Sequence, residues 1–131
     1  MHPKHTQSNL YILGDVDRVR EHIDRELLAS NLEAVTKFST TLTRGLATLA
    51  RASEELMGAE IIMVGGDDVL FRVGDRTYSK ELLARIAKTF KEETDCTISF
   101  GVGTSVPVAY VNLRRAKAEG RGSICGDEVA L

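Results

Sequence analysis

Two short β-rich runs, Ile61-Ile62-Met63-Val64 and Val69-Leu70-Phe71, flank the tetrapeptide Gly65-Gly66-Asp67-Asp68. Apolar runs separated by a Gly-Gly turn predict a β-hairpin. That hairpin fixes two strands as antiparallel neighbours, and every other element has to be placed around the pair. It also sets two adjacent carboxylates where the second strand begins. Neighbouring negative charges at a hairpin tip repel unless water or a cation offsets them.

The rest of the chain alternates between the two periodicities. Leu10-Tyr11-Ile12-Leu13 is a continuous apolar run, as in a strand covered on both faces, and it ends at Gly14-Asp15-Val16-Asp17. Val19, Ile23 and Leu27 predict a first helix over about 17–29. Ser30 or Asn31 can cap a second helix, whose apolar face is Leu32, Val35, Phe38, Leu42, Leu46 and Leu49 and whose stop is Gly58. Beyond the hairpin, Ser79 caps a third helix facing inward with Leu82, Leu83, Ile86, Ala87 and Phe90. Cys96 to Val102 alternates as a strand. Ser105 opens a fourth helix, with Pro107 tolerated in its first turn, Val108, Val111, Leu113 and Ala116 on its face, and Gly120 as its end. A short last strand is expected near Ser123-Ile124.

This order, β-α-α-β-β-α-β-α-(β), predicts an α+β fold of the ferredoxin-like kind: a mainly antiparallel sheet with helices packed on one face. The boundaries are a flexible N-terminus over 1–8, one domain over 9–125 and a tail over 126–131. In such a topology the end of the first strand, at Asp15, lies beside the hairpin tip at Asp67-Asp68.

Bulk properties narrow the partners. A chain of 131 residues is expected to form one domain with enough core to fold alone. Its formal charge of −2 gives no basic field for a long nucleic acid. Cys96 and Cys125 have no CxxC spacing, so they are read as reduced thiols of a cytoplasmic protein. No apolar run approaches the roughly 20 residues of a membrane span. His2 and His5 sit in a polar, frayed start rather than in a metal site.

Asp15, Asp17, Asp67 and Asp68 would gather at one edge of the predicted sheet. Carboxylates this close need a cation, and hard oxygen donors suit Mg²⁺ or Mn²⁺. Two such ions about 4 Å apart serve in-line phosphoryl or nucleotidyl transfer. Gly65 and Gly66 leave room for a triphosphate to approach backbone N–H groups, and the first helix offers its N-terminus. Each piece has a plainer reading: Asp-x-Asp as a turn with a helix cap, Gly-Gly-Asp-Asp as a solvated tip. Their union on one fold is what points to metal. Arg114, Arg115, Lys117 and Arg121 surround the end of the fourth helix. They complement the helix dipole there, or else Lys117 and Arg121 reach the β- and γ-phosphates; the residues leave both open.

The ordered set Asp15-Val16-Asp17, Gly65-Gly66-Asp67-Asp68, Thr97-Ile98-Ser99-Phe100-Gly101-Val102 and Ala116-Lys117-Ala118-Glu119-Gly120-Arg121 resembles the palm of the GGDEF/CRISPR polymerase nucleotide cyclase superfamily. The likeness runs from about residue 9 to 124. Val69 stands where diguanylate cyclases have Phe, and the segment after Asp17 lacks their guanine-holding pattern. The chain is therefore most similar to a minimal CRISPR polymerase, a stand-alone GGDD palm. The resemblance implies Asp15, Asp67 and Asp68 as catalytic metal ligands, with the Val16 carbonyl as a backbone ligand and Asp17 as a weaker candidate, on the metal or behind its ligands. It places Gly65, Gly66, Lys117 and Arg121 around the nucleotide. It implies a nucleotidyltransferase that makes a cyclic oligonucleotide second messenger in antiviral signalling, with ATP favoured and an effector that responds to the product. One palm holding one triphosphate predicts a homodimer with the active site between subunits. The competing expectation is a non-catalytic nucleotide sensor on the same fold.

Overall fold

A computed structural model of the chain describes residues 8–126. His2, His5 and, apart from Ser8 and Gly126, the two expected terminal segments lie outside the described residues. The elements are β1 (Asn9–Val16), α1 (Val19–Leu28), α2 (Leu32–Met57), β2 (Glu60–Val64), β3 (Asp68–Gly74), α3 (Lys80–Thr94), β4 (Ile98–Gly103), α4 (Val106–Ala118) and β5 (Ile124–Cys125). They form a five-stranded sheet in the order β2-β3-β1-β4-β5. β1 pairs antiparallel with β3 and β4, β2 antiparallel with β3, and the short β5 parallel with β4. This is the expected α+β palm, with β1 at its centre.

Local chemistry sets the helix limits. Asn31, Ser79 and Ser105 each accept a hydrogen bond from the backbone N–H three residues on, satisfying a donor that the first turn leaves free. α2 ends at Gly58, whose φ of +64° is the left-handed cap that glycine adopts without strain. α1 begins at Val19 rather than near 17, because Asp17 is held in the site described below and Arg18 takes a left-handed turn.

Strand alternation divides the sheet into two unlike faces. Ile12, Val16, Val69, Phe71, Ile98, Phe100 and Val102 bury one face against Leu42, Leu46 and Leu49 of α2 and Leu83, Ile86 and Phe90 of α3. α4 lies on the other face, against β4, so the helices do not all share one side. Its position follows from β4 itself, where large Ile98, Phe100 and Val102 alternate with small Ser99, Gly101 and Gly103. A Cβ on Gly101 would collide with the Ala109 carbonyl and the Leu113 backbone nitrogen. Such a close approach admits only small residues, so α4 turns Ala109, Asn112, Leu113 and Ala116 inward. Val108 and Val111, expected on the buried face, are 45% and 59% exposed. Leu32, at the overhanging start of α2, is likewise exposed.

Gly101→Ala is expected to cost about 3 kcal/mol, because its methyl meets backbone, which cannot rotate away. Urea denaturation should show a lower midpoint at unchanged slope. Among the described residues no helix is long and apolar enough to cross a membrane. Cys96 is a free thiol, and Cys125 Sγ donates to Glu119 Oε1 at 3.4 Å.

Candidate metal and nucleotide site

The β1–β3 register does what sequence distance hides: it sets Asp15 directly opposite Asp68. The Val16 N–H donates to the Asp67 carbonyl at 2.8 Å and pins the hairpin tip to the end of β1. One carboxylate oxygen from each of Asp15, Asp67 and Asp68 lies within 4.8 Å of the other two. Burial, then the neighbouring Asp67 and Asp15 charges, push the Asp68 carboxyl above the ordinary carboxylate range. All three acids offer hard oxygen donors and only partial shielding from water, a set that fits Mg²⁺ or Mn²⁺.

The two glycines of the turn do different things. The Gly65 N–H donates to the Asp68 carbonyl at 2.8 Å. A Cβ on Gly65 would run into the Asp68 carboxylate, whereas one on Gly66 would meet nothing within 4 Å. Gly65 thus keeps the space in which Asp68 stands, and Gly66 leaves the tip open.

Lys117 reaches the acids from the last turn of α4. Its Nζ lies 2.9 Å from Asp15 Oδ2 and 2.7 Å from Asp17 Oδ1. The Asp15 and Val16 carbonyl oxygens are 3.3 and 3.4 Å away. The ammonium group therefore sits beside the carbonyl and carboxylate expected to face a metal. Lys117 thus points back across the sheet end, to acids and carbonyls of the first strand, rather than only capping its own helix.

Asp17 stands apart from the three acids. It is outside the acid cluster and only 4% exposed. Thr97 Oγ1 donates to it at 2.6 Å, Ser99 Oγ at 2.9 Å and the Gly122 N–H at 3.0 Å, alongside Lys117. Burial alone would raise its carboxyl; hydrogen bonds from Lys117, Thr97 and Ser99 and the Lys117 charge overcome this and hold it below the ordinary value. With its lone pairs taken, Asp17 joins β1, β4, α4 and the turn before β5, and it is not free to ligate. Sequence reading missed Thr97 and Gly122 as its partners; the polar alternation of Thr97, just before β4, and Ser99 within it was the available signal.

Two clefts meet at the acids. One, of about 320 Å³, lies beyond the strand ends and is lined by Asp15, Val16, Asp67, Lys117, Arg121 and the first turn of α1. Arg121 takes part in its wall from a left-handed turn with φ of +60°. The other, of about 570 Å³, lies over the sheet face beside α4.

The fold is found in solved proteins. The active GGEEF domain of a diguanylate cyclase from Vibrio cholerae matches with a TM-score of 0.54 at 14% identity, over 91% of this chain and 82% of that one. An EAL/GGDEF domain protein from M. capsulatus gives 0.60 at 15% identity, over 95% of this chain and 88% of that one. A Csm1-Csm4 cassette in complex with pppApA gives 0.67 at 18% identity, over 92% of this chain but only 21% of that one. The chain thus spans about a fifth of the Csm1-Csm4 chain it matches. No curated protein matches the sequence. The model of the minimal CRISPR polymerase domain covers residues 11–126, from the first strand through the turn after β5. That match takes in the acid cluster, Lys117 and the Asp17 network together, and by it the chain belongs to the minimal CRISPR polymerase family.

Proposed function

We propose that this chain is a metal-dependent nucleotidyltransferase that joins nucleoside triphosphates into a cyclic oligonucleotide, a cyclic dinucleotide being the simplest product. The observation that carries this reading is the Asp15, Asp67 and Asp68 cluster with Lys117 beside it, on a palm fold. Asp15, the Val16 carbonyl, Asp67 and Asp68 would hold Mg²⁺ or Mn²⁺. Bound there, the ions supply charge neutralisation and an activated attacking oxygen.

The chain's own groups bind and orient. Lys117 and Arg121 face the cleft beyond the strand ends, where they would hold the β- and γ-phosphates; backbone N–H groups of the first turn of α1 and the open Gly66 tip add donors. A ribose hydroxyl of a second nucleotide attacks the α-phosphorus, a new P–O bond forms, and the α–β bond breaks. Pyrophosphate leaves towards the basic groups, and the hydroxyl proton passes to water. A second such step closes the ring. Positioning and charge supply the acceleration, without a protein base.

The described residues of each chain hold one acid cluster, so two chains facing each other bring two triphosphates together; the active unit is a homodimer with its active site between subunits. Adenine is the favoured base, since Csm1-Csm4 cassettes have been solved with ATP, with pppApA and with cyclic cA4. The product would signal to an effector in antiviral defence, within the cytoplasm.

Incubation with each labelled triphosphate and Mn²⁺, followed by mass spectrometry of the products, tests the reading. Pyrophosphate and a cyclic product from at least one triphosphate are expected. No pyrophosphate from any of the four would overturn it.

A further inference from the structure

The wide cleft over the sheet shares only Asp15 and Lys117 with the cleft assigned to the triphosphate. Its floor is apolar, formed by Leu13 of β1 and Leu113 of α4, and its rim carries Tyr110, Arg114 and Lys117. Asp15 and Asp68 also line it. The Arg114 guanidinium lies 6.0 Å from the Tyr110 ring centre, within the range of a cation–π contact. A volume of about 570 Å³ suits a ligand the size of a nucleotide.

Its place relative to the first cleft is what gives it a role. Asp15 and Lys117 stand in the walls of both clefts. Otherwise the two diverge: one opens beyond the strand ends past Asp67, the other over the sheet face past Asp68. Nucleotidyl transfer needs the attacking oxygen and the leaving pyrophosphate roughly in line across the reacting phosphorus. The cleft beyond the strand ends has the cations and helix N-terminus suited to pyrophosphate. An attacking nucleotide must then arrive from the other side of the acids, where the α4 cleft lies.

Resting on the nucleotidyl-transfer reading above, we infer that the α4 cleft is the subsite for the attacking nucleotide. Its base packs between the Leu13–Leu113 floor and the Tyr110 ring, and its ribose hydroxyl points at Asp15 and Asp68. The hydroxyl oxygen bonds to the α-phosphorus held by the first cleft, the α–β P–O bond breaks, pyrophosphate departs past Arg121, and the proton goes to water. Arg114 attracts the attacking nucleotide's own phosphate. In a facing pair of chains, this is the surface that the second nucleotide meets. An aromatic face with an arginine beside it grips bases by stacking more than by hydrogen bonds, so this subsite sets affinity and leaves base choice broad.

The two substrates can be separated chemically. A 2′,3′-dideoxynucleoside triphosphate serves only as the group that is attacked, and a nucleoside 5′-monophosphate only as the attacker. Tyr110 is half exposed, so Tyr110→Ala leaves the core intact. With this pair and Mn²⁺, Tyr110→Ala should raise the KM for the monophosphate about tenfold or more, with the KM for the dideoxy triphosphate unchanged. Tyr110→Phe should restore the monophosphate KM. Saturation-transfer NMR on the metal-free protein should show monophosphate binding that Tyr110→Ala removes. An unchanged monophosphate KM, or a parallel rise in both KM values, would overturn the inference. Should wild type release no pyrophosphate from any triphosphate, the transferase reading falls. The NMR experiment still decides this one: retained binding in Tyr110→Ala refutes the α4 cleft as a nucleotide site.

Discussion

In the proposed transferase, Asp68→Asn is expected to slow pyrophosphate release by at least about a thousandfold, some 4 kcal/mol of transition-state stabilisation, while making the metal-free protein more stable. Both effects come from one cause. Asp68 faces Asp15 across the strand pair and adjoins Asp67, so three negative charges share one edge. Its carboxyl is raised by burial and by those two neighbours. A carboxyl that binds its proton more tightly folded than unfolded contributes stability below the unfolded pKa, and that contribution is lost as pH rises through the folded value. At neutral pH the ionised form therefore costs stability, and a neutral amide of the same shape removes the cost. Thermal denaturation in EDTA should place the variant a few degrees above wild type at pH 7, with the gap closing near pH 4. Adding Mn²⁺ should reverse the order. Saturation at a hundred times the dissociation constant stabilises wild type by about 2.7 kcal/mol, and the variant far less. Equal stabilisation of both by Mn²⁺ would remove Asp68 from the metal site.

The hairpin and its meeting with Asp15 were legible because both rest on local rules. A Gly-Gly turn between apolar runs sets an antiparallel pair, and the element order leaves β1 beside it. Strand pairing then converts sequence into contact with little freedom. Two features were not legible, each for a physical reason. α4 is apolar on more than one side: Val108 and Val111 compete with Ala109 and Asn112 for places beside Leu113 and Ala116 on the inward face. Hydrophobicity favours the two valines, but the close approach to Gly101 and Gly103 selects the others. Asp15 and Asp17 look alike in sequence, as acids two residues apart after a strand. Their difference is made by Thr97, Ser99 and Gly122, which are 80 to 105 residues away in the chain. No periodicity carries that information.

Asp17→Asn should disrupt the fold although it barely changes the side chain's shape. Asp17 Oδ1 accepts from Lys117 and Ser99, and Oδ2 from Thr97 and the Gly122 N–H. An asparagine must turn its NH₂ towards one of these pairs, donor against donor, whichever way the amide is flipped. The hydroxyls can rotate, but the Gly122 N–H and the Lys117 ammonium cannot become acceptors. Removing one partner of a buried pair costs about 3–5 kcal/mol, and the retained amide oxygen puts this variant near the lower figure. The pH dependence separates the charge from the shape. Asp17 is held below its ordinary pKa, so its contribution is present above the unfolded value of about 3.9 and is lost as pH falls through the lower folded value. Wild-type stability should fall steeply below about pH 4, and the variant's more gently, so that the two urea midpoints converge in acid. A constant offset from pH 3 to pH 7 would mean that the carboxylate's charge is not what holds the network. The same substitution releases Lys117 from one of its two carboxylates. In the proposed transferase it should raise the KM for triphosphate more than it lowers kcat, because Asp17 orients the lysine and does not itself touch the reacting atoms.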